Sequence, residues 1–362
     1  MRILQVSSAR EIGGGERHFA DLSNGLARRG HAVFAVLRSK SPLRAALSEL
    51  PANNILELPL RNALDLSSAI NLKRYARENQ IEIIHAHVAR DYPLAALATR
   101  GSSARLVLTR HVLFPLKTVH RLTLRRTAEV IAVSEAVADG LREQRIFAPG
   151  IVRVIHNGID VDRFRRSREQ ISKARRDGRW RVGSVSQLAP IKGQEDLIRA
   201  AAKVCQTRDD VEFVIAGEAE SGSDNYRGNL EKLIRELGLE QRVRLPGWVD
   251  DVADVLPTFD LFVSASRYDA FGLSTIEAMA AGVPVISTAS AGAREIIEAG
   301  STGRVVAISD VEGLAAAILE LLNDPSERTR LAQHAQVAVA ERFSLARMIE
   351  KTEEVYREVL AR

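Results

Sequence analysis

Along the first 156 residues, apolar positions switch repeatedly between two spacings. Short runs such as Ile3-Leu-Gln-Val6 read as strands, separated by stretches in which apolar residues recur every three or four positions. Residues 2–7 make the first strand. Gly13-Gly14-Gly15 then leads into a helix over 16–29, with Phe19, Leu22 and Leu26 on one face and Gly30 as its stop. Strands follow at 31–37, 81–86, 105–109, 130–133 and 152–156, with helical patterns at 65–79, 91–99, 114–126 and 135–144. Over 160–179 the pattern dissolves. That stretch is polar and basic, with Arg163, Arg165, Arg166, Arg168, Lys173, Arg175 and Arg176, and reads as a linker. Alternation then restarts, with strands at 181–185, 211–216, 243–245, 261–264, 283–287 and 303–306. Helices are expected at 194–205, 225–237, 275–281, 311–322, 326–340 and 345–360. Alternation of this kind predicts mostly parallel sheets covered by helices on both faces. The restart predicts two Rossmann-like units, with ligands bound beyond the carboxyl ends of the strands, in the cleft between the units.

Length agrees with two units, because 362 residues exceed the size at which one core usually stops growing. Hydrophobic residues at 46% and charged residues at 27% are ordinary for a soluble globular protein. The lone Cys205 excludes an intramolecular disulfide and reads as a small core residue. The start moves from Arg2 straight into a strand, without a signal-peptide pattern, and no apolar run reaches the roughly 18 residues of a membrane span. The expected location is the cytoplasm. Charge is unevenly spread: residues 1–165 carry 25 lysines and arginines against 15 acids, and the remainder carries 26 against 31. The basic first half suits a polyanionic partner or a membrane surface. Basic segments at 37–44, 73–77 and 117–126 could supply that face, with apolar and cationic residues at helical spacing in the last. No nucleic-acid reader module is present, so none is expected as a partner.

The densest chemistry lies in Asp269-Ala-Phe271-Gly272-Leu273-Ser-Thr-Ile-Glu277. A Phe-Gly turn entering a helix aims free N–H groups and the positive end of the helix dipole outward, which suits a phosphate. Asp269 and Glu277 can accept hydrogen bonds from sugar hydroxyls beside it. Gly14 and Gly15 also precede a helix and let a ligand approach the backbone, but the spacing is not a dinucleotide fingerprint. His85 and His87 share one strand face; with no third ligand nearby in sequence, a metal site is not expected. Asp250, Asp251 and Asp254 fit a helix start, and Ser134 fits a helix cap.

In order, Gly13-Gly14-Gly15, Asn157-Gly-Ile-Asp160, Leu188 to Lys192-Gly193, Asp269 to Glu277, and Glu295 resemble the family 4 (group 1) retaining glycosyltransferases over essentially the whole chain. The resemblance implies the α/β GT-B fold, two Rossmann-like domains facing each other across a deep cleft. Residues 1–163 would bind the acceptor, joined by a terminal helix over about 345–362 that crosses back, and 164–344 would bind the donor. The implied reaction is retaining transfer of a sugar from a nucleoside-diphosphate donor, UDP- or GDP-linked, to a hydroxyl on a glycan or lipid-linked acceptor. It needs no cofactor and no metal. The setting would be cell-envelope polysaccharide or glycolipid synthesis such as lipopolysaccharide, with peripheral contact at the inner face of an anionic membrane.

Carried over residue by residue, Lys192 neutralises the diphosphate, with Gln187 beside it where the family usually has arginine. Arg17, Arg110 or Arg294 are candidate substitutes for that missing charge. Asp269, where the family usually has glutamate, and the backbone of Phe271, Gly272 and Leu273 hold sugar and phosphate. Glu277 holds the ribose. Gly14 and Gly15 close over the phosphates, His111 lines the sugar pocket, Gly217 bounds the nucleotide pocket, and Trp248 walls the base, unless it is packed in the core. Two alternatives share the architecture: a non-catalytic nucleotide-sugar-binding protein, and an epimerase or phosphorylase.

Overall fold

The computed structural model describes residues 1–165, 178–219 and 225–362. Most of the predicted linker, 166–177 with Arg166, Arg168, Lys173, Arg175 and Arg176, lies outside the described residues. Contacts group the chain into two compact units, Met1–Gly158 with Leu345–Arg362, and Ile159–Ser344.

The first unit holds β1 (Arg2–Ser7), β2 (Ala32–Arg38), β3 (Ile55–Leu58), β4 (Ile83–Ala86), β5 (Arg105–Arg110), β6 (Glu129–Ala132) and β7 (Val152–Val154). They pair in parallel in the order β3-β2-β1-β4-β5-β6-β7. The direction of winding therefore reverses between β1 and β4, and the crevice at that switch point is where such sheets bind ligands. The edge strand β3 has no counterpart in the sequence reading. The helical pattern at 114–126 condenses to His120–Thr123. Leu116, His120 and Leu124 do turn inward there, while Phe114, Val119 and Leu122 stay exposed.

Phe19, Leu22 and Leu26 of the helix Gly14–Arg28 face a core with Ile3, Ile83, Val107 and Ile131. The helix Leu345–Ala361 closes the same core with Met348, Ile349, Val355 and Tyr356. It lies tight against the first helix because residue 25 has no side chain: a Cβ on Gly25 would stand 2.1 Å from Ile349 Cδ1. Glu353, on that last helix, is almost fully buried and pairs with Arg29 at 2.8 Å and His31 Nε2 at 2.5 Å. The expected return of the terminal helix to the first unit is present.

The second unit holds β8 (Trp180–Val185), β9 (Val211–Ala216), β10 (Val243–Gly247), β11 (Leu261–Ser264), β12 (Val285–Thr288) and β13 (Arg304–Val306). Their order is β10-β9-β8-β11-β12-β13, all parallel, with the switch point between β8 and β11. Fully buried Phe213, Phe259 and Phe262 anchor this unit. Burying each such ring is worth about 1.5–3 kcal/mol. Gly183 in β8 leaves the space that Phe259 fills, since a Cβ there would lie 2.1 Å from the ring. No helix of the described residues is long and apolar enough to cross a membrane.

Candidate functional site

In the second unit, the chain leaving β8 and the chain leaving β11 meet over the switch point. The backbone N–H groups of Arg267 and Tyr268 donate to Ile191 O at 2.9 and 3.2 Å. Arg267 also grips Asp196 of the helix Gln194–Thr207 through two bonds of 2.7 and 2.9 Å. Held this way, Lys192 Nζ donates to Asp269 Oδ2 at 2.7 Å, and both side chains are about four-fifths covered. The two residues singled out for the reacting diphosphate and sugar thus form one ion pair, although 77 positions separate them.

Asp269 begins the turn into the helix Leu273–Ala280. Gly272 occupies its N-cap with φ at +102°, a left-handed conformation that favours glycine. Phe271 N donates to Asp269 Oδ1 at 3.4 Å, and the Phe271 ring packs edge-on against Phe343. Its side chain is therefore core, and only its backbone faces the turn. The next turn presses on this one: Gly292 N donates to Asp269 O, and a Cβ on Gly292 would stand 2.2 Å from Phe271 O. Glu277 sits further along the same helix and is 5% exposed.

Gln187 is exposed, and its carbonyl accepts from Gln194 Nε2 at 2.8 Å. Gln194 is fully buried and also donates to Ser186 Oγ at 2.9 Å, which fixes the curve of the loop before Lys192. Gly217 N donates to Gly247 O, and a Cβ on Gly217 would meet Ser186 O at 1.9 Å, so this loop too is built on close backbone approach. Trp248 is 54% exposed, with its indole N–H bonded to Asp250 Oδ1 at 3.1 Å. Packing in the core is thus excluded for it, which leaves an open aromatic face beside β10.

In the first unit, Gly14 and Gly15 open the first helix after β1, where Glu16 Oε2 accepts from Gly13 N at 3.0 Å. A Cβ on Gly15 would stand 3.4 Å from the His111 ring. The glycine loop and the histidine after β5 are therefore neighbours at the first switch point. Asp91 holds the chain leaving β1, accepting from Ser8 N at 2.7 Å, and burial pushes its carboxyl up to about 6. Arg110, a candidate substitute cation, is buried and donates to Phe114 O. Arg294 donates through Nε to Ala289 O at 3.0 Å.

The sequence reading passed over His18. Its imidazole lies on the buried side of the first helix, among the same apolar residues, and meets His87 and His111 at the carboxyl end of the sheet. His85 does not join them: its ring nitrogens face Tyr356 Oη at 2.6 Å and Thr109 Oγ1 at 2.7 Å. Ser134 caps its helix by accepting from Val137 N at 3.2 Å, as its position suggests. Asp251 likewise caps a short helix by accepting from Ala253 N.

Two parallel doubly wound units, the first completed by a terminal helix, define a GT-B protein. Residues 12–163 match the family model described as Glycosyltransferase Family 4, and residues 166–337 match that of Glycosyl transferases group 1. The chain is 30% identical to a lipopolysaccharide core biosynthesis glycosyltransferase LpsE of Rhizobium meliloti, over 92% of each chain. It is 26% identical to an N-acetyl-alpha-D-glucosaminyl L-malate synthase of Bacillus anthracis, covering 96% of this chain and 95% of that one. Among solved structures, Anabaena Alr3699/HepE in complex with UDP and glucose superposes with a TM-score of 0.86 at 24% identity, covering 98% of both chains. The chain belongs to the family 4, group 1 glycosyltransferases.

Proposed function

We propose that the protein moves a sugar from a nucleoside-diphosphate donor to a hydroxyl acceptor with retention at the anomeric carbon, and that no metal takes part in the transfer. The observation that carries this reading is the Lys192–Asp269 pair over the second switch point, beside the N-terminus of the helix Leu273–Ala280. An arriving diphosphate supplies Lys192 with a stronger anionic partner and frees Asp269 for sugar hydroxyls. The helix N-terminus adds unpaired N–H groups for a phosphate. As the C1–O bond to the diphosphate breaks, Lys192 stabilises the departing charge. The acceptor oxygen bonds to C1 on the same face, and its proton passes to the leaving phosphate oxygen. Glu277 holds the ribose, Gly217 and Trp248 bound the base, Gly14 and Gly15 serve the phosphates, and His111 serves the sugar.

The UDP and glucose bound in the structural neighbour favour a UDP-linked sugar over a GDP-linked one, and the relative named for lipopolysaccharide core biosynthesis favours an acceptor in envelope glycan or glycolipid synthesis. A peripheral membrane position is supported by exposed Phe114, Val119 and Leu122 interleaved with Lys117, Arg121, Arg125 and Arg126. Lys192→Ala tests the reading. Losing one preorganised charge donor costs about 3–4 kcal/mol, so kcat should fall by roughly two to three decades. An unchanged kcat removes Lys192 from the mechanism. A thermal-shift panel of UDP- and GDP-sugars, with and without EDTA, should single out one nucleotide series indifferent to chelation. Silence across the panel would point to a protein that binds some other ligand.

A further inference from the structure

His18, His87 and His111 come from three separate segments and place one ring nitrogen each within 4.8 Å of the other two. His87 Nδ1 stands 3.4 Å from His111 Nε2, long for a hydrogen bond. Two nitrogens bound to one tetrahedral zinc at about 2.0–2.1 Å are about 3.3–3.4 Å apart. That edge already has the span of a metal site.

The orientation of His87 agrees. Gln5 Nε2 faces Tyr356 Oη at 3.4 Å, so its Oε1 is turned to His87 Nε2 at 2.8 Å. With Gln5 Oε1 facing it, His87 Nε2–H can donate to the amide oxygen, and in that tautomer Nδ1 carries the lone pair that faces His111. Metal-ligating histidines commonly donate their second N–H to such an oxygen, which fixes the tautomer.

His18 supplies the independent observation. It is 4% exposed, and both ring nitrogens lack a hydrogen bond of ordinary geometry among the described residues, with the Asn157 side chain as the polar group beside them. Nδ1 of His111 is buried without a hydrogen-bond partner among the described residues. His85, one ring away, shows what a purely structural histidine looks like here, with partners at both nitrogens. The triad is enclosed and brings three imidazoles together, and neutral imidazole is the form in which histidine ligates a cation.

We propose that His18, His87 and His111 form a three-imidazole site for a late transition cation such as Zn2+, with a fourth position open to an anion. Three neutral nitrogen ligands select Zn2+, Co2+, Ni2+ or Cu2+ over Mg2+ and Ca2+. Because no ligand carries negative charge, the bound ion keeps its full +2 and favours an anionic fourth ligand. A second consequence rests on the proposed function: metal on His111 withdraws that ring from the sugar pocket, so Zn2+ inhibits transfer.

The experiment uses the full chain without a histidine tag, stripped with a chelator and titrated with Co2+ and then Zn2+. One equivalent should bind, with the intense visible bands of four-coordinate Co2+. His18→Gln and His87→Gln should abolish those bands while circular dichroism and melting stay near wild type, and His334→Ala should leave them intact. Gln5→Leu should weaken affinity by about 10–100-fold, the usual effect of losing an outer-shell partner. Absence of Co2+ bands in the wild-type chain overturns the site, as does a spectrum unchanged in His18→Gln. The inhibition arm is read separately: micromolar Zn2+ should slow wild-type transfer, EDTA should restore it, and His18→Gln should be insensitive. Zn2+ that binds without slowing transfer refutes the inhibitory role and leaves the binding site standing.

Discussion

Gly193, between Lys192 and the helix Gln194–Thr207, offers a sharp test of how the second unit's loops are built. Its φ is +66°, and a Cβ there would stand 2.0 Å from Ala265 O and 2.9 Å from Ala265 C. Ordinary carbon–oxygen approach is about 3.3 Å, so the Ala265 carbonyl would have to retreat by more than an ångström. The left-handed conformation costs alanine about 1–2 kcal/mol, and overpacking against a buried neighbour adds about 1–3 kcal/mol. Gly193→Ala should therefore destabilise the second unit by about 2–5 kcal/mol, a fall in Tm of roughly 4–20 °C for a unit of this size. Gly238, in the same unit, is the control: its φ is +67° with nothing within 4 Å of the added Cβ, so Gly238→Ala carries the conformational cost alone. Calorimetry of the full-length pair measures both. Ala265 leads directly into Arg267 and Tyr268, whose N–H groups tie the loop to Ile191, so Gly193→Ala should also disturb the Lys192–Asp269 pair and weaken nucleotide binding. If Gly193→Ala melts no lower than Gly238→Ala, the close approach is not a constraint and the reasoning fails.

Two further substitutions probe the first unit. Asp91 keeps its proton up to about pH 6 in the fold but releases it near 3.9 when unfolded, so stability should fall as pH rises through that window. A shift of about two units corresponds to about 3 kcal/mol. Urea midpoints at pH 4.5 and 7.5 should therefore favour Asp91→Asn over wild type increasingly at the higher pH, and a pH-independent gap would show that Asp91 titrates normally. At Glu353, burial alone would raise the pKa, but hydrogen bonds from His31 and Arg29 outweigh it and hold the carboxylate low. Its contribution is present above the usual carboxylate range and is lost as pH falls through the lowered value. Arg29 is one-third exposed, so Glu353→Ala should cost less than a fully buried pair, about 1–3 kcal/mol, read as a drop in urea midpoint at pH 7 that shrinks toward pH 3.

What could be seen in the chain, and what could not, follows from range. The first helix was legible because Phe19, Leu22 and Leu26 are local, and β1, β8 and β9 because their apolar runs are. Four-residue β3 was not: Ile55-Leu-Glu-Leu58 is short and broken by Glu57, and its place comes from pairing with β2. The 114–126 pattern kept its inward positions, but only His120–Thr123 of it is helical. Lys192 and Asp269 were named separately from motifs, whereas their contact depends on two loops stitched through Ile191. The histidine triad was hidden for the same reason. His87 was read against its strand neighbour His85, yet its closer partners in chemistry are a helix residue far upstream and a loop residue beyond the next strand.

The seat of the helix Leu345–Ala361 has a consequence for how the protein is made. Gln5 and His85 both rely on Tyr356, and Ile349 fills the space left by Gly25. During synthesis the sheet of the first unit emerges early, but its cover is translated only after the whole of the second unit. Until then the groove beside the first helix stays open and Gln5 has no phenol to bind. The nascent first unit therefore waits, exposed, for its last helix, and chaperone binding on the ribosome should persist until residues beyond 345 clear the exit tunnel.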